Sequence, residues 1–150
     1  MHLTTKSKYA VTAVLDLALN ESRFCYVSLS EVAKRQSIPA PYLEQLFRHL
    51  RRAGILEASP GPKGGFKLAR SSKNINIGEI VSAVEKKMDA TQCGGEGNCN
   101  AGSVCLSHEL WTELNEKVLD FLVNKSLYDV LETKKVSVSS FSRDQLITVG

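Results

Sequence analysis

A mainly α fold carrying one small β-hairpin follows from three features of this 150-residue sequence. Apolar residues recur at helical spacing in several separate stretches. Polar caps of the Ser/Asn-x-x-Glu type announce helix starts at Ser28 and Asn76. One proline- and glycine-rich run, Pro60-Gly61-Pro62-Lys63-Gly64-Gly65, separates two short β-prone segments. The composition, 43% hydrophobic and 23% charged, is that of a globular chain and excludes disorder throughout. A chain this long buries enough surface to be stable without disulfides.

The elements follow in order. Thr5 to Asn20 predicts a helix with Tyr9, Ala13, Val14, Leu17 and Ala18 on one face. Lys6 and Lys8 ahead of an apolar stretch imitate a signal peptide, but Asp16 interrupts it and no small-residue cleavage site follows. No apolar run nears 18 residues, so no membrane partner is expected and the protein is expected to be cytoplasmic. Residues 22–27 form a connector holding Cys25. Ser28-x-x-Glu31 opens a short helix to Gln36, and Ser37-Ile38-Pro39-Ala40 is a turn. Pro41 suits the first turn of the next helix, whose apolar set is Leu43, Leu46, Phe47 and Leu50, and Gly54 ends it. Ile55–Ser59 and Phe66–Arg70 read as the strands of the hairpin. Asn76-x-x-Glu79 caps a helix with Ile77, Ile80, Val81 and Val84 inward. Residues 88–105 are a Gly-rich loop. Leu106 to Asn124 is expected as the longest helix, roughly 28 Å at 1.5 Å per residue. Ser126 starts a final short helix to about Thr133. The expected organisation is therefore three regions: 1–75, 76–133 and a mobile tail over 134–150.

Helix, short helix, turn, helix and hairpin is the order of a winged helix-turn-helix, and the charge supports that reading. Residues 1–75 carry 12 Lys and Arg against 5 Asp and Glu, whereas 76–150 carry 7 against 11. A basic half on a chain of net charge +3 is the footprint of a polyanion partner, here double-stranded operator DNA. The second helix of the pair turns Tyr42, Glu44, Gln45, Arg48, Arg51 and Arg52 away from its apolar face. Gln45 can pair with adenine edges, Glu44 can accept from a cytosine amino group, and the arginines suit guanine or phosphate. Recognition helices read bases with their N-terminal residues, which assigns Pro41, Tyr42, Glu44 and Gln45 to the groove and Arg48, Arg51 and Arg52 to phosphates. Lys63 stands among glycines at the hairpin tip, where the backbone can approach phosphate or the minor groove. There is no P-loop, paired-carboxylate constellation or nucleophile–base arrangement, so no enzyme is expected.

Cys93, Cys99, Cys105 and His108 offer four soft or borderline ligands within 16 residues. Thiolates and imidazole suit zinc or an iron–sulfur centre, and the absence of a Cys-x2-Cys knuckle leans away from zinc. The helix after this loop carries Leu110, Leu114, Val118, Phe121 and Leu122 along one stripe, with Trp111 beside it. Such a stripe predicts a dimer arm, and a homodimer would read paired half-sites.

The chain resembles the IscR-type family of winged-helix bacterial transcription factors, the iron–sulfur cluster assembly regulators. The resemblance rests on Leu3-Thr4-Thr5-Lys6, Tyr9 to Ala13, Tyr42 to Phe47, Gly61 to Phe66, Ile77 to Val84 and the Cys93, Cys99, Cys105, His108 set, and it covers roughly residues 1–133. It implies a homodimeric repressor, also able to activate, that binds one 2Fe–2S cluster per subunit through three Cys and one His and adjusts cluster assembly genes. Cluster-assembly scaffold proteins are then expected among its partners. Other relatives sense nitric oxide or redox state, and a zinc-stabilised regulator without a sensing role is the remaining alternative. Pro60 stands where such regulators carry Arg before the wing, and Pro41 where they carry Ser, so a different site preference is expected.

Overall fold

The first helix, α1 (Thr5–Asn20), spans the residues its periodicity predicts and buries Ala10, Ala13, Val14 and Leu17. The computed structural model describes residues 3–20, 25–85, 95–98 and 100–135. Helix α2 (Leu29–Gln36) starts at the expected capping box. The Ser28 hydroxyl accepts the Glu31 N–H at 3.2 Å, and the Glu31 carboxylate accepts the Ser28 N–H at 3.2 Å. It stops at Ser37, whose left-handed backbone (φ 54°) lets the Ile38 N–H reach back to the Ala33 carbonyl at 3.0 Å.

Helix α3 (Ala40–Arg52) holds Pro41 in its first turn, where a missing N–H costs nothing. Leu43, Leu46, Phe47 and Leu50 are all buried, as the i, i+3, i+4, i+7 spacing requires. Gly54, at φ 75°, ends it in a Schellman arrangement: Gly54 N–H donates to Arg51 O at 3.1 Å and Ile55 N–H to Leu50 O at 3.0 Å.

Strands β1 (Leu56–Ser59) and β2 (Gly65–Leu68) pair antiparallel, Leu56 opposite Leu68 and Ser59 opposite Gly65. Both are shorter than expected at their outer ends, β2 closing at Leu68 rather than Arg70. The connector before α2 is not idle. Val27 and Phe66 exchange both backbone hydrogen bonds, at 2.9 and 2.7 Å, so the hairpin gains a third edge. Gly65 is required there, since a Cβ would lie 2.3 Å from the Val27 carbonyl oxygen.

A 3-10 turn, Ser72–Asn74, leads into α4 (Ile77–Val84), again through a complete capping box between Asn76 and Glu79. Ile77, Ile80 and Val81 are buried and Val84 is half-buried. Helix α5 spans His108–Val123 and has 16 residues, the same as α1. It starts two residues later than expected, with Leu106 left fully exposed. A last helix, α6, covers 127–135. Ser126 and Asp129 cap it reciprocally, at 3.1 and 3.0 Å. Its start is tied to the start of α4, with Ile77 N–H on Lys125 O at 2.8 Å and Leu127 N–H on Ile75 O at 2.9 Å. Where α4 crosses α5, a Cβ on Gly78 would lie 2.9 Å from Val123 Cγ2, so the helices touch directly. The expected tail lies outside the described residues from 136 onward.

One continuous core runs through these elements, from Ala10 and Leu17 through Phe47 and Ile55 to Ile80 and Leu127. This is the winged helix-turn-helix the element order predicts. Among the described residues no helix is long and apolar enough to cross a membrane.

Candidate nucleic-acid interface and ligand loop

The helix-turn-helix is set by a buried charge. Asp16 of α1 is only 3% exposed, yet it accepts from Arg35 Nη2 at 2.8 Å, Arg35 Nε at 3.0 Å and Gln36 Nε2 at 2.7 Å. Burial works against its charge, but the bonds from Arg35 and Gln36 and the Arg35 charge outweigh it, so the carboxyl titrates below its usual value. The end of α2 is thereby pinned on α1, and the turn to α3 follows from there.

On α3, Glu44, Gln45, Arg48, Arg51 and Arg52 are all exposed, one polar face opposite the buried one. Tyr42 differs. It is half-buried, its ring edge-on to Tyr9 with centroids 5.7 Å apart at 81°. Loss of solvent, then the neighbouring Tyr9 and Glu85, push its hydroxyl above the usual phenol value and keep it a neutral donor. Sequence periodicity could not assign this, because the partner ring is on α1. On the inner face of α3, Phe47 meets Phe66 of β2 at 4.8 Å and 64°, which fixes the wing against the recognition helix. Lys63 is exposed at the wing tip. Gly64 beside it admits no side chain, since a Cβ would lie 2.0 Å from the Ser59 carbonyl oxygen.

The end of α4 is anchored to the same body. Glu85 accepts hydrogen bonds from the Thr4 hydroxyl and from Ser7 Oγ, the latter at 2.7 Å. Burial opposes its charge, but the bonds from Thr4 and Ser7 and the Lys6 charge leave the carboxyl below its usual value. Glu85 is the last described residue before the loop.

Of the four candidate ligands, Cys93 and Cys99 lie outside the described residues. Cys105 and His108 are both half-buried at the start of α5, joined by a His108 N–H to Cys105 O bond of 3.2 Å. Between Cys99 and Cys105 the chain makes a tight reversal. Asn100 and Ser103 exchange backbone bonds at 2.8 and 2.9 Å, and Ala101 and Gly102 have φ of 48° and 92°, as a type I′ turn requires. Among the described residues no group of three or more His, Cys, Asp or Glu is placed to hold a metal. Three thiols and one imidazole are nevertheless a donor set whose chemistry fits a 2Fe–2S cluster. Two residues that the ligand spacing did not single out also belong here: the Trp111 indole N–H donates to Ser107 Oγ at 3.0 Å, and Cys105 Sγ lies 3.8 Å from the same hydroxyl.

Along α5, Leu110 is 59% and Phe121 62% exposed, and Leu114 is exposed beside them. Val118 is half-buried against the core and Leu122 is buried, so the apolar stripe divides into an outer row and an inner one.

Residues 3–133 match the Rrf2 family, described as iron-dependent transcriptional regulator. A chain of Neisseria meningitidis serogroup A, named for an HTH-type transcriptional regulator, is 48% identical over 134 residues, covering 89% of this chain and 90% of that one. The HTH-type transcriptional regulator IscR of Vibrio cholerae is 42% identical over 150 residues, covering 100% of this chain and 86% of its own. The solved structure of T. potens IscR superposes with a TM-score of 0.72 at 30% identity, covering 89% of this chain and 88% of that one. These relatives are transcriptional regulators and not enzymes.

Proposed function

Because the chain belongs to the Rrf2 family of DNA-binding transcriptional regulators, we propose that it is the member that couples operator binding to a 2Fe–2S cluster, repressing or activating cluster assembly genes. The observation that carries this reading is the turn at the start of α5. There Cys105 and His108 supply a thiol and an imidazole, and Cys93 and Cys99 precede them closely in the sequence. Those four residues would hold the cluster, one per subunit, received from an assembly scaffold protein. When bound, the cluster supplies one-electron chemistry and an occupancy that follows the supply of iron and sulfide.

The chain's own residues do the rest. Gln45 and Glu44 face the major groove from the first half of α3 and read base edges there, with the Tyr42 hydroxyl beside them. Arg48, Arg51 and Arg52 neutralise phosphates, and Lys63 brings the wing tip onto the backbone. Leu110, Leu114 and Phe121, with Val118 at the inner edge of the row, form the seam with a second copy. That pairing sets two recognition helices on two half-sites.

The test is a visible absorption spectrum of protein purified without oxygen, paired with DNA binding at several salt concentrations. An iron–sulfur band that disappears in the Cys93→Ala, Cys99→Ala and Cys105→Ala proteins is the expected result. A colourless protein containing zinc overturns the cluster, and binding to DNA that ignores salt overturns the phosphate roles of the arginines.

A further inference from the structure

Helix α5 begins at a serine that does not cap it. Ser107 has φ −102° and ψ 6°, and its hydroxyl accepts no first-turn N–H, although capping is the usual service of serine at that position. The hydroxyl is committed elsewhere. It takes the Trp111 indole N–H at 3.0 Å and lies 3.8 Å from Cys105 Sγ.

The direction of this chain is fixed by chemistry. An indole N–H can only donate, so Trp111 occupies a lone pair of Ser107 Oγ and leaves the hydroxyl proton unspent. A deprotonated Cys105 can only accept. Once Cys105 is a thiolate, the order is Trp111 to Ser107 to Cys105, and each bond polarises the next. We infer that Ser107, oriented by Trp111, is a positioning residue that donates a hydrogen bond to the Cys105 thiolate and raises the reduction potential of the cluster held there, an inference that rests on the cluster reading above. The reason is electrostatic. Taking up one electron makes the cluster and its thiolates more negative, and a donor aimed at the sulfur stabilises the reduced form more than the oxidised one.

Trp111 is the only tryptophan in the sequence, so its emission reports on this chain alone. The experiment loads the whole 150-residue chain anaerobically with ferric iron and sulfide and titrates it with dithionite against redox mediators. Wild type is compared with S107A, S107T and W111F. S107A is expected to shift to a lower potential, S107T to return toward wild type, and W111F to fall between them. In cluster-free protein, S107A should shift the Trp111 emission to shorter wavelength, because the indole loses its acceptor. The absent cap bond means that S107A keeps α5, which circular dichroism checks, and S107T reports the hydroxyl's role even if it does not. Equal potentials in loaded wild type and S107A overturn the donor role while leaving the cluster reading standing. An unshifted emission in S107A overturns the Trp111 link. A wild-type protein that takes up no visible absorption overturns the cluster reading itself and the inference with it.

Discussion

Asp16 is the residue on which the helix-turn-helix turns, and its charge gives that region a pH dependence. Its folded-state pKa is lowered, so its contribution is fully present above the ordinary carboxylate value of about 4 and is lost as pH falls through the lower folded value. Asp16→Asn should cost about 1.5–3 kcal/mol at neutral pH, the worth of hydrogen bonds to a charged group. It should also flatten the acid side of the stability curve. Thermal melts from pH 7 down to pH 2 check both, and a variant with the wild-type acid slope would place the titration elsewhere. Glu44 poses the opposite question. It is an exposed acid, and in the proposed groove contact, against a polyanion, it weakens binding unless a cytosine amino group meets it. Glu44→Ala should broaden the set of operators bound and let cluster-free protein bind sites that otherwise need the cluster. Arg51→Ala should weaken every site alike and flatten the log–log salt slope by about 1 per half-site. A panel of operator variants titrated at several salt concentrations separates the two. Uniform weakening by Glu44→Ala with altered base preference in Arg51→Ala would reverse the roles.

Among the elements, what the sequence made legible is what is local. The span of α1, both capping boxes, the buried face of α3 and its polar face follow from spacing within a few residues. What it hid is non-local: the Val27–Phe66 pair, the 75–77 to 125–127 pairing, and the half-burial of Tyr42 against Tyr9. That Cys105 and His108 stand together at the start of α5 was readable for the same local reason, whereas the Trp111–Ser107 bond was not, because side-chain bonds leave no periodic trace. Helix α5 shows the limit most clearly. Its apolar stripe is evident in the sequence, but which row faces the core depends on how α4 meets it, and only Leu122 is fully inward. The outer row makes a prediction at this scale. Leu114→Glu and Phe121→Glu should leave the fold intact, since both side chains are exposed, and halve the mass seen by sedimentation. An unchanged mass in both would put the seam on another face.

For the molecule as a whole, the end of α4 and the helix-turn-helix share one body, because Glu85 accepts hydrogen bonds from Thr4, just before α1, and from Ser7 within it. Exchanging the imidazole for a thiolate should therefore alter the cluster without disturbing the fold. His108→Cys is expected to retain the visible band and shift to lower potential, and a potential equal to wild type would remove His108 from the ligand set. The contact at Gly78, where α4 meets Val123 of α5 with no side chain of its own, reaches further. Helix α4 also lies on α1 and α3, so in the proposed dimer the arm and the recognition helix have no slack between them. Two such subunits act as a caliper whose jaws are set at one gap. A single base pair inserted between half-sites carries the far one ~3.4 Å along the axis and about a tenth of a turn around it. A caliper without play cannot follow that screw motion, so the interval between half-sites is measured as strictly as the bases within them.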